Sequence, residues 1–319
     1  MAVRRRAGSG RPAIIAPLVK PMTQLAPAGR DNRPGIAAMI AGMACFLLND
    51  ALVKTVSADI NTGQIVLLRG AGACLWLLLI CAAGGALRQW RRLFDAAVLR
   101  RAGIDGVATL LYLSALVHLP IANATAINLS APLMLTALAV IFQGETVGWR
   151  RWSAVAVGFA GVLLIVQPSA QGFNWFALVA LAGTALHALR DLLRRRIVAG
   201  IPSLLITLST ALAVTVFGAG FAALEPWRPV EWQALAMLAA MSMLLAAGYY
   251  LMVACVRLGE LSVVAPFRYT ALLWALGLGY LLWGDLPDAI ATLGIVLLIG
   301  SGLYVLHRER IKRVAIGAG

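Results

Sequence analysis

Charged residues are scarce in this chain. Asp, Glu, Lys and Arg make up only 13% of its 319 residues, whereas 61% are hydrophobic. A soluble globular domain has about 25% charged residues, and a water-soluble core of this size could not hide so much apolar surface. The composition therefore excludes an ordinary water-soluble protein and indicates a chain whose main solvent is lipid.

Cysteines and catalytic motifs are also scarce. The four cysteines lie inside apolar stretches and form no CxxC pair: Cys45, Cys74, Cys81 and Cys255. This spacing supports neither a disulfide framework nor a zinc site. The sequence has no GxxxxGK[ST], HExxH or GxSxG, so motifs for ATP use, metalloprotease chemistry and serine hydrolysis are missing. We therefore expect no cofactor, no metal and no catalytic residues, with an intramembrane enzyme as the weaker alternative.

Long apolar runs fill most of the chain. A helix needs about 20 residues to cross the hydrocarbon core of a bilayer. The pattern predicts an all-α integral membrane protein with ten spans, at 36–57, 62–84, 99–118, 121–142, 151–167, 174–192, 203–224, 231–256, 261–283 and 287–306. The runner-up count is nine. The basic segment 1–34, whose apolar run is interrupted by Pro17, is predicted to be a disordered cytoplasmic tail rather than a signal peptide, and 308–319 a second cytoplasmic tail.

Basic residues alternate between successive connections. The even-numbered connections and the carboxyl tail are rich in arginine, whereas the odd-numbered ones hold a single basic residue, Arg228, among several acids. Because lysine and arginine concentrate in cytoplasmic loops, this pattern places both termini in the cytoplasm. It also explains the net charge of +14 without nucleic acid as a partner. We expect a multi-pass protein of a bacterial inner membrane.

The two halves of the chain are similar to each other. Residues 118–145 align without a gap to 258–285, and the aligned pairs include Gly144 with Gly284 and Glu145 with Asp285. Each half holds five spans, an odd number, so 35–168 and 169–307 are predicted to insert as inverted repeats. Inverted repeats are typical of alternating-access transporters, with a solute site near the midplane between the halves.

Four stretches resemble a known family. They are LNDALVK at 48–54, LLRG at 67–70, ALVHLPIANATAINLSAPLMLTAL at 115–138 and VVAPFRYTALLWALGLGYLLWGDLPD at 263–288. Together they are similar to the EamA-type permeases of the drug/metabolite transporter superfamily. The resemblance implies two inverted five-helix repeats around a central cavity. The small multidrug-resistance relatives use a glutamate in their first helix; this chain has none there, so their drug/proton mechanism is not carried over.

The resemblance implies a secondary transporter for small organic solutes, with amino acids or related metabolites as the first hypothesis and export as the favoured direction. Uptake of a vitamin, a nucleoside or an S-adenosylmethionine-like metabolite is the alternative. Protons are left open as the coupling ion, and a monomer and a homodimer are both compatible with the two repeats.

Polar residues within the predicted spans are the candidate site, because an unpaired charge in the bilayer centre is costly. Asp50 and Arg69 lie at similar depths on consecutive antiparallel spans, with Asn49 beside Asp50 and Lys54 one turn away. We predict an Asp50–Arg69 ion pair that Lys54 could join. It is either a structural clamp or an outer gate in which Asp50 takes up protons.

A second group lies nearer the midplane. Asn128 and Arg268 occupy equivalent positions in the two repeats, and His187 and Asp191 share one face of the sixth span. Arg268 is the candidate ligand for a solute carboxylate, since a guanidinium is a planar bidentate donor; the alternative is that Asp191 or backbone carbonyls hold it. His187 is either a proton shuttle or a neutral histidine bonded within the bundle. Four aromatic residues are further candidates for the cavity wall: Tyr112, Tyr250, Tyr269 and Trp274.

Overall fold

The structure is a computed structural model. The structure describes residues 31–143, 148–167, 174–194 and 200–317, and within those ranges all regular elements are helical. The α-helices are α1 Arg33–Val56, α2 Thr62–Ala83, α3 Ala96–Leu116, α4 Ile121–Leu129, α5 Ala131–Gln143, α6 Trp149–Val166, α7 Phe176–Arg194, α8 Ser203–Ala222, α9 Trp232–Leu258, α10 Leu261–Val264, α11 Thr270–Trp283 and α12 Ala289–Gly317. Two 3₁₀ segments, Ala86–Phe94 and Ala265–Tyr269, complete the set.

Helices lie in all ten of the predicted segments, and two of those segments are broken. Ser130 separates α4 from α5, two residues before Pro132. Pro266 lies in the 3₁₀ segment between α10 and α11. Proline lacks the backbone N–H that a continuous helix needs, which explains a break at each place.

Helices extend into both predicted tails where the structure describes them. Helix α1 already begins at Arg33, with Pro34 in its first turn, where a missing N–H costs nothing. Helix α12 continues to Gly317 and so includes most of 308–319. The greater part of 1–34, residues 1–30, lies outside the described residues.

Seven helices are long and apolar enough to cross a membrane. They are α1, α2, the α4–α5 pair, α7, α8, α9 and α12. Helix α3 falls outside this set because Arg100, Arg101 and Asp105 lie within its 21 residues, and the apolar part of α6, Trp152–Val166, is short. The chain is therefore an all-helical, multi-pass membrane protein.

Helices from the two halves of the chain pack closely against each other. Helix α1 packs mainly on α9, α3 on α7 and α8, α2 on α8 and α9, and α6 on α12. The contact between α6 and α12 is backbone to backbone: a Cβ on Gly161 would lie 2.6 Å from the carbonyl oxygen of Gly294. Small residues allow such close approach where lipid supplies no hydrophobic driving force.

Candidate functional site

The first polar cluster joins α1, α2 and α3. Arg69 Nη1 donates to Asn49 Oδ1 at 3.0 Å, and Asn49 Nδ2 donates to Asp50 Oδ1 at 3.0 Å. The Tyr112 hydroxyl donates to the other carboxylate oxygen of Asp50 at 3.0 Å. Asn49, Arg69 and Tyr112 are buried. We call these four residues the Asp50 cluster.

The predicted direct Asp50–Arg69 ion pair is replaced by a bridged one. The Asn49 amide lies between the two charges, accepting from the guanidinium and donating to the carboxylate. The prediction rested on similar depth on neighbouring helices, and depth does not determine which way each side chain turns around its helix axis. Asp50 is thus left with two neutral donors, Asn49 and Tyr112.

Lys54 does not join that cluster. Its ammonium donates to the carbonyl of Leu119, lies 3.9 Å from Asp285 Oδ2 and sits 5.2 Å from the centre of the Trp283 ring. Residues 50 and 54 lie on the same side of a helix, but the long Lys54 side chain extends to the end of the bundle, where a carboxylate is available. The Lys54–Asp285 contact joins the first half of the chain to the second.

Further contacts at that same end also join the two halves. Glu225 accepts a hydrogen bond from the Gly63 backbone N–H at 3.0 Å. The Gln64 amide donates to the Arg228 carbonyl at 2.9 Å and accepts from the Arg228 backbone N–H at 3.0 Å. We call this set of contacts, together with Lys54–Asp285, the Lys54 seal.

Asp288 adds one more contact at this end. Its carboxylate accepts from Gln167 Nε2 at 2.8 Å and from the Ala291 backbone N–H at 2.6 Å in the first turn of α12. These donors, the Ala291 N–H first and Gln167 second, lower the pKa of the Asp288 carboxyl from its ordinary value. The ionised side chain therefore caps α12.

The second polar cluster joins α3, α4 and α7. Arg190 donates to Asp105 from Nη1 and to Asp191 from Nε, the latter at 2.9 Å. His187 lies between two oxygens, with Nδ1 3.2 Å from Asn128 Oδ1 and Nε2 3.7 Å from Asp105 Oδ1. We call these five residues the Asp105 cluster. Asn128 was predicted to lie near the midplane and His187 on the cytoplasmic half of its span, and the structure brings the two side chains into contact.

Arg268 lies in the 3₁₀ segment beside this cluster and interacts electrostatically with Asp191 and His187. Its side chain is half-buried, and its Nε is buried with no hydrogen-bond partner among the described residues. The Asp191 carboxylate is instead held by Arg190. Since a buried donor without an acceptor is costly, Arg268 has donor capacity to offer a ligand.

The four predicted aromatic residues lie on different faces of their helices. Tyr112 faces inward onto Asp50. Tyr269 is buried, but it packs against α12, where its ring and hydroxyl occupy the space above Gly302. Tyr250 and Trp274 are 38% and 41% exposed and lie on the outer sides of their helices. The assignment of Tyr269, Tyr250 and Trp274 to a cavity wall is corrected accordingly.

Tyr249 occupies the position expected of Tyr250. It interacts electrostatically with Asp105 and Arg69, so it lies between the two clusters, and its ring packs edge-to-face on Phe46. Successive residues of a helix point about 100° apart, so only one of two adjacent tyrosines can face inward. The inward face of α9 is marked by Met241, Ser242 and Gly248, but the sequence alone does not distinguish this face from the lipid-facing one.

Asp105 and Arg190 were not among the predicted site residues. Both lie close to arginine-rich stretches that mark the predicted cytoplasmic ends of α3 and α7, and this makes them resemble boundary residues. Asp105 is nevertheless buried, and Arg190 reaches it from a helix far along the chain. The signal that could have identified Asp105 was an acid on an apolar helix face. Its partner Arg190 could be identified only from the fold.

An apolar cavity of about 410 Å³ lies apart from these clusters, between α5, α6 and α7. Its lining includes Met134, Leu138, Phe159 and Leu181 and none of the predicted site residues. Within the described ranges, no three His, Cys, Asp or Glu side chains group as a metal site would need.

Known proteins with similar sequences are named as transporters. Residues 33–167 match the EamA-like transporter family. The chain is 27% identical to the pseudopaline exporter of Pseudomonas aeruginosa, over 84% of this chain and 94% of that protein. It is 27% identical to an S-adenosylmethionine uptake transporter of Rickettsia bellii, over 60% of this chain and 65% of that one, and 26% identical to a riboflavin transporter of Rhizobium johnstonii, over 69% and 71%.

A solved crystal structure shares the fold. It aligns with a TM-score of 0.59 at 18% identity, covering 86% of this chain and 98% of that one. Three of the four sequence stretches, at 48–54, 67–70 and 115–138, lie within the matched residues 33–167. The chain thus matches the EamA-like transporter family over 33–167 and is similar over most of its length to an EamA-type permease of the drug/metabolite transporter superfamily.

Proposed function

We propose that this protein is a secondary transporter that moves a small organic solute bearing a carboxylate, with amino acids and related metabolites as the first candidates. The observation that carries the proposal is Arg268, whose buried Nε has no partner beside a cluster in which Arg190 already holds both acids. A solute carboxylate would supply the missing acceptors and would also offset the positive charge.

The proposal includes ten spans arranged as inverted repeats, 35–168 and 169–307. Helix packing supports it. If each span is exchanged with the equivalent span of the other repeat, five places away, the α1–α9 contact becomes the α7–α3 contact. In the same way the α2–α9 contact becomes the α8–α3 contact. All four of these contacts occur. The α2–α8 and α6–α12 contacts map onto themselves, as a two-fold relation in the membrane plane requires.

Alternating access requires one end of the bundle to be closed while the other end opens. With both termini in the cytoplasm, the Lys54 seal lies on the outer side of the inner membrane, and each of its contacts joins one repeat to the other. We propose that these contacts form the outer gate. Asp285 would then release Lys54 as the outer end opens.

Two groups are candidates for carrying a coupling proton. Both ring nitrogens of His187 face oxygen atoms, so a proton on either one finds an acceptor. Asp50 receives its hydrogen bonds from neutral donors, and Arg69 reaches it only through Asn49. We propose proton coupling through one of these groups, and flux with and without a pH gradient tests it.

Direction stays a proposal because the named relatives include both an exporter and uptake transporters. We propose export. Uptake of a vitamin or a metabolite of the S-adenosylmethionine type is the second candidate, supported by the riboflavin and S-adenosylmethionine transporters. Counterflow in vesicles of known orientation distinguishes the two.

The decisive experiment is flux in proteoliposomes with a panel of radiolabelled amino acids, riboflavin and S-adenosylmethionine. For the solute that moves, Arg268→Gln should lower the apparent affinity at least about tenfold, since a charge-assisted hydrogen bond contributes roughly 1.5–3 kcal/mol. Arg268→Lys should recover part of that loss. Arg308→Gln, which removes an arginine beyond the predicted last span, is the matched control and should transport normally. If none of these solutes is transported, the transporter proposal is refuted. If Arg268→Gln keeps full activity, Arg268 does not bind a solute carboxylate.

A further inference from the structure

The 3₁₀ segment Ala86–Phe94 between α2 and α3 lies outside the proposed transport site. Ala86 is buried, and Leu87 and Leu93 pack on a small apolar cluster. That cluster is formed by α2, α8 and α9 and comprises Cys74, Leu77, Cys81, Leu208, Ala211 and Ala246. One side of the segment is therefore fixed to the bundle, and its other side has a defined orientation.

The opposite side of the segment exposes two aromatic rings. Trp90 is 53% exposed and Phe94 66% exposed, and the rings meet edge-to-face at 6.1 Å. Because α2 ends at Ala83 and α3 begins at Ala96, the segment lies at the membrane boundary. Aromatic rings concentrate at this depth, where the ring contacts acyl chains and its edge contacts headgroups.

The segment also carries three exposed arginines, Arg88, Arg91 and Arg92. Arg92 pairs with Asp95 at 3.3 Å, and the Arg91 guanidinium lies 5.9 Å from the Trp90 ring centre. Within the described part of the chain, Arg88 and Arg91 have no ion pair. Residues 88–92 line an open cavity of about 700 Å³.

We propose that this segment is a binding site for the headgroup of an anionic phospholipid. The lipid phosphate lies among Arg88, Arg91 and Arg92, and Trp90 and Phe94 insert beside its acyl chains. Charge complementarity selects the occupant: guanidinium groups bind phosphate oxygens through paired hydrogen bonds, and a basic group near an anionic bilayer gains affinity with each added charge. The inference requires membrane insertion but not the proposed transport activity.

Native mass spectrometry of the full-length protein tests the proposal by titration with phosphatidylglycerol and with phosphatidylcholine of identical acyl chains. We expect phosphatidylglycerol to bind at least about tenfold more tightly, given the contribution of each basic residue near a lipid surface. Inorganic phosphate, titrated separately, should not compete at equal concentration, because it lacks the acyl chains that Trp90 and Phe94 contact. Equal affinity for the two lipids, or full displacement by phosphate, would overturn the proposal.

A triple variant, Arg88→Gln with Arg91→Gln and Arg92→Gln, should reduce the preference for phosphatidylglycerol about tenfold, to near the phosphatidylcholine level. Trp90→Ala with Phe94→Ala should weaken both lipids alike. The matched control, Arg308→Gln with Arg310→Gln and Arg313→Gln, removes the same charge elsewhere and should keep the preference. Circular dichroism shows that each variant keeps its helices. An equal loss in the control would show that general surface charge, not this site, attracts the lipid, and would refute the assignment.

Discussion

Individual polar side chains in this bundle are mostly satisfied by one another. Asn49 links Arg69 to Asp50, and Arg190 links Asp105 to Asp191. A buried charge without such partners would destabilise the fold by several kcal/mol. In the described part of the chain, Arg69 and Arg268 each have a buried Nε with no hydrogen-bond partner, but Arg69 donates through Nη1 to Asn49. Arg268 lies beside acids that Arg190 already holds, and this marks it as the candidate for a ligand.

The adjacent tyrosines of α9 allow a matched test at the residue scale. Tyr249 lies between the two polar clusters, whereas Tyr250 is exposed on the outer side. Tyr249→Phe removes a hydroxyl that lies between the two polar clusters and should reduce the affinity for the solute about tenfold, roughly the contribution of one hydrogen bond. Tyr250→Phe should leave transport unchanged. Initial rates of flux over a range of substrate concentrations give both affinities. Equal effects of the two substitutions would contradict the orientation of α9.

Helix ends determine how the two halves of the chain meet. At the Lys54 end, α1 reaches α11 through Lys54 and Asp285, and the start of α2 is bonded to the connection between α8 and α9. An exposed ion pair contributes at most about 1 kcal/mol, so no single contact of the seal holds the end closed. A weak seal of this kind suits a gate that must open during each cycle.

Removing Lys54 should loosen this end. Lys54→Met deletes the bond to Leu119 and the contact with Asp285, which together contribute roughly 1–2 kcal/mol. In a background with the four cysteines replaced, a reporter at Asn123→Cys in α4 should react with an external, impermeant maleimide about tenfold faster. Asp59→Asn removes an acid at the same end and serves as the control, with no change expected.

The gating role of Lys54 also makes a prediction for its partner. Asp285→Asn should raise the reporter rate in the same direction by a smaller factor, because the Leu119 bond remains. An unchanged rate in Lys54→Met would remove the gate from the proposed cycle while leaving the solute site intact.

At the scale of the whole molecule, the pattern of basic loops and the packing of the helices support the proposed topology of ten spans in two inverted repeats. The described helices occupy ten segments, and seven of them meet the length and hydropathy needed to span a bilayer. The pairwise exchange of helix contacts between the halves is the arrangement that two inverted units require.

The topology is tested by single cysteines added at each chain end and in the connections 57–61 and 223–231. In intact cells, an impermeant maleimide should label both connections and neither end, because arginine-rich segments stay in the cytoplasm. Opening the cells should make both ends reactive. Labelling of one end from outside would establish an odd number of crossings and exclude the ten-span arrangement.

Much of the fold could be predicted from the sequence. Runs of apolar residues located helices to within a few residues, because each helix must satisfy its own backbone in lipid regardless of its neighbours. The ends of α1 and α12 were less predictable, since a basic amphipathic segment outside the membrane can be helical or irregular. In the Asp105 cluster, Asn128 was chosen from its depth along its helix and His187 from its spacing to Asp191. Tyr249, Asp105 and Arg190 were not chosen, because their contacts depend on helices far apart in the chain.

The sequence alone determined which segments are helical and membrane-embedded and which family the chain resembles, since these depend on local hydropathy and on characteristic stretches. Only the tertiary structure decided which polar groups meet. Asn49 between Arg69 and Asp50, Lys54 against Asp285, and Arg190 across to Asp105 all depend on the rotation of one helix against another. That rotation is set by packing between residues far apart in the chain, which no local pattern encodes.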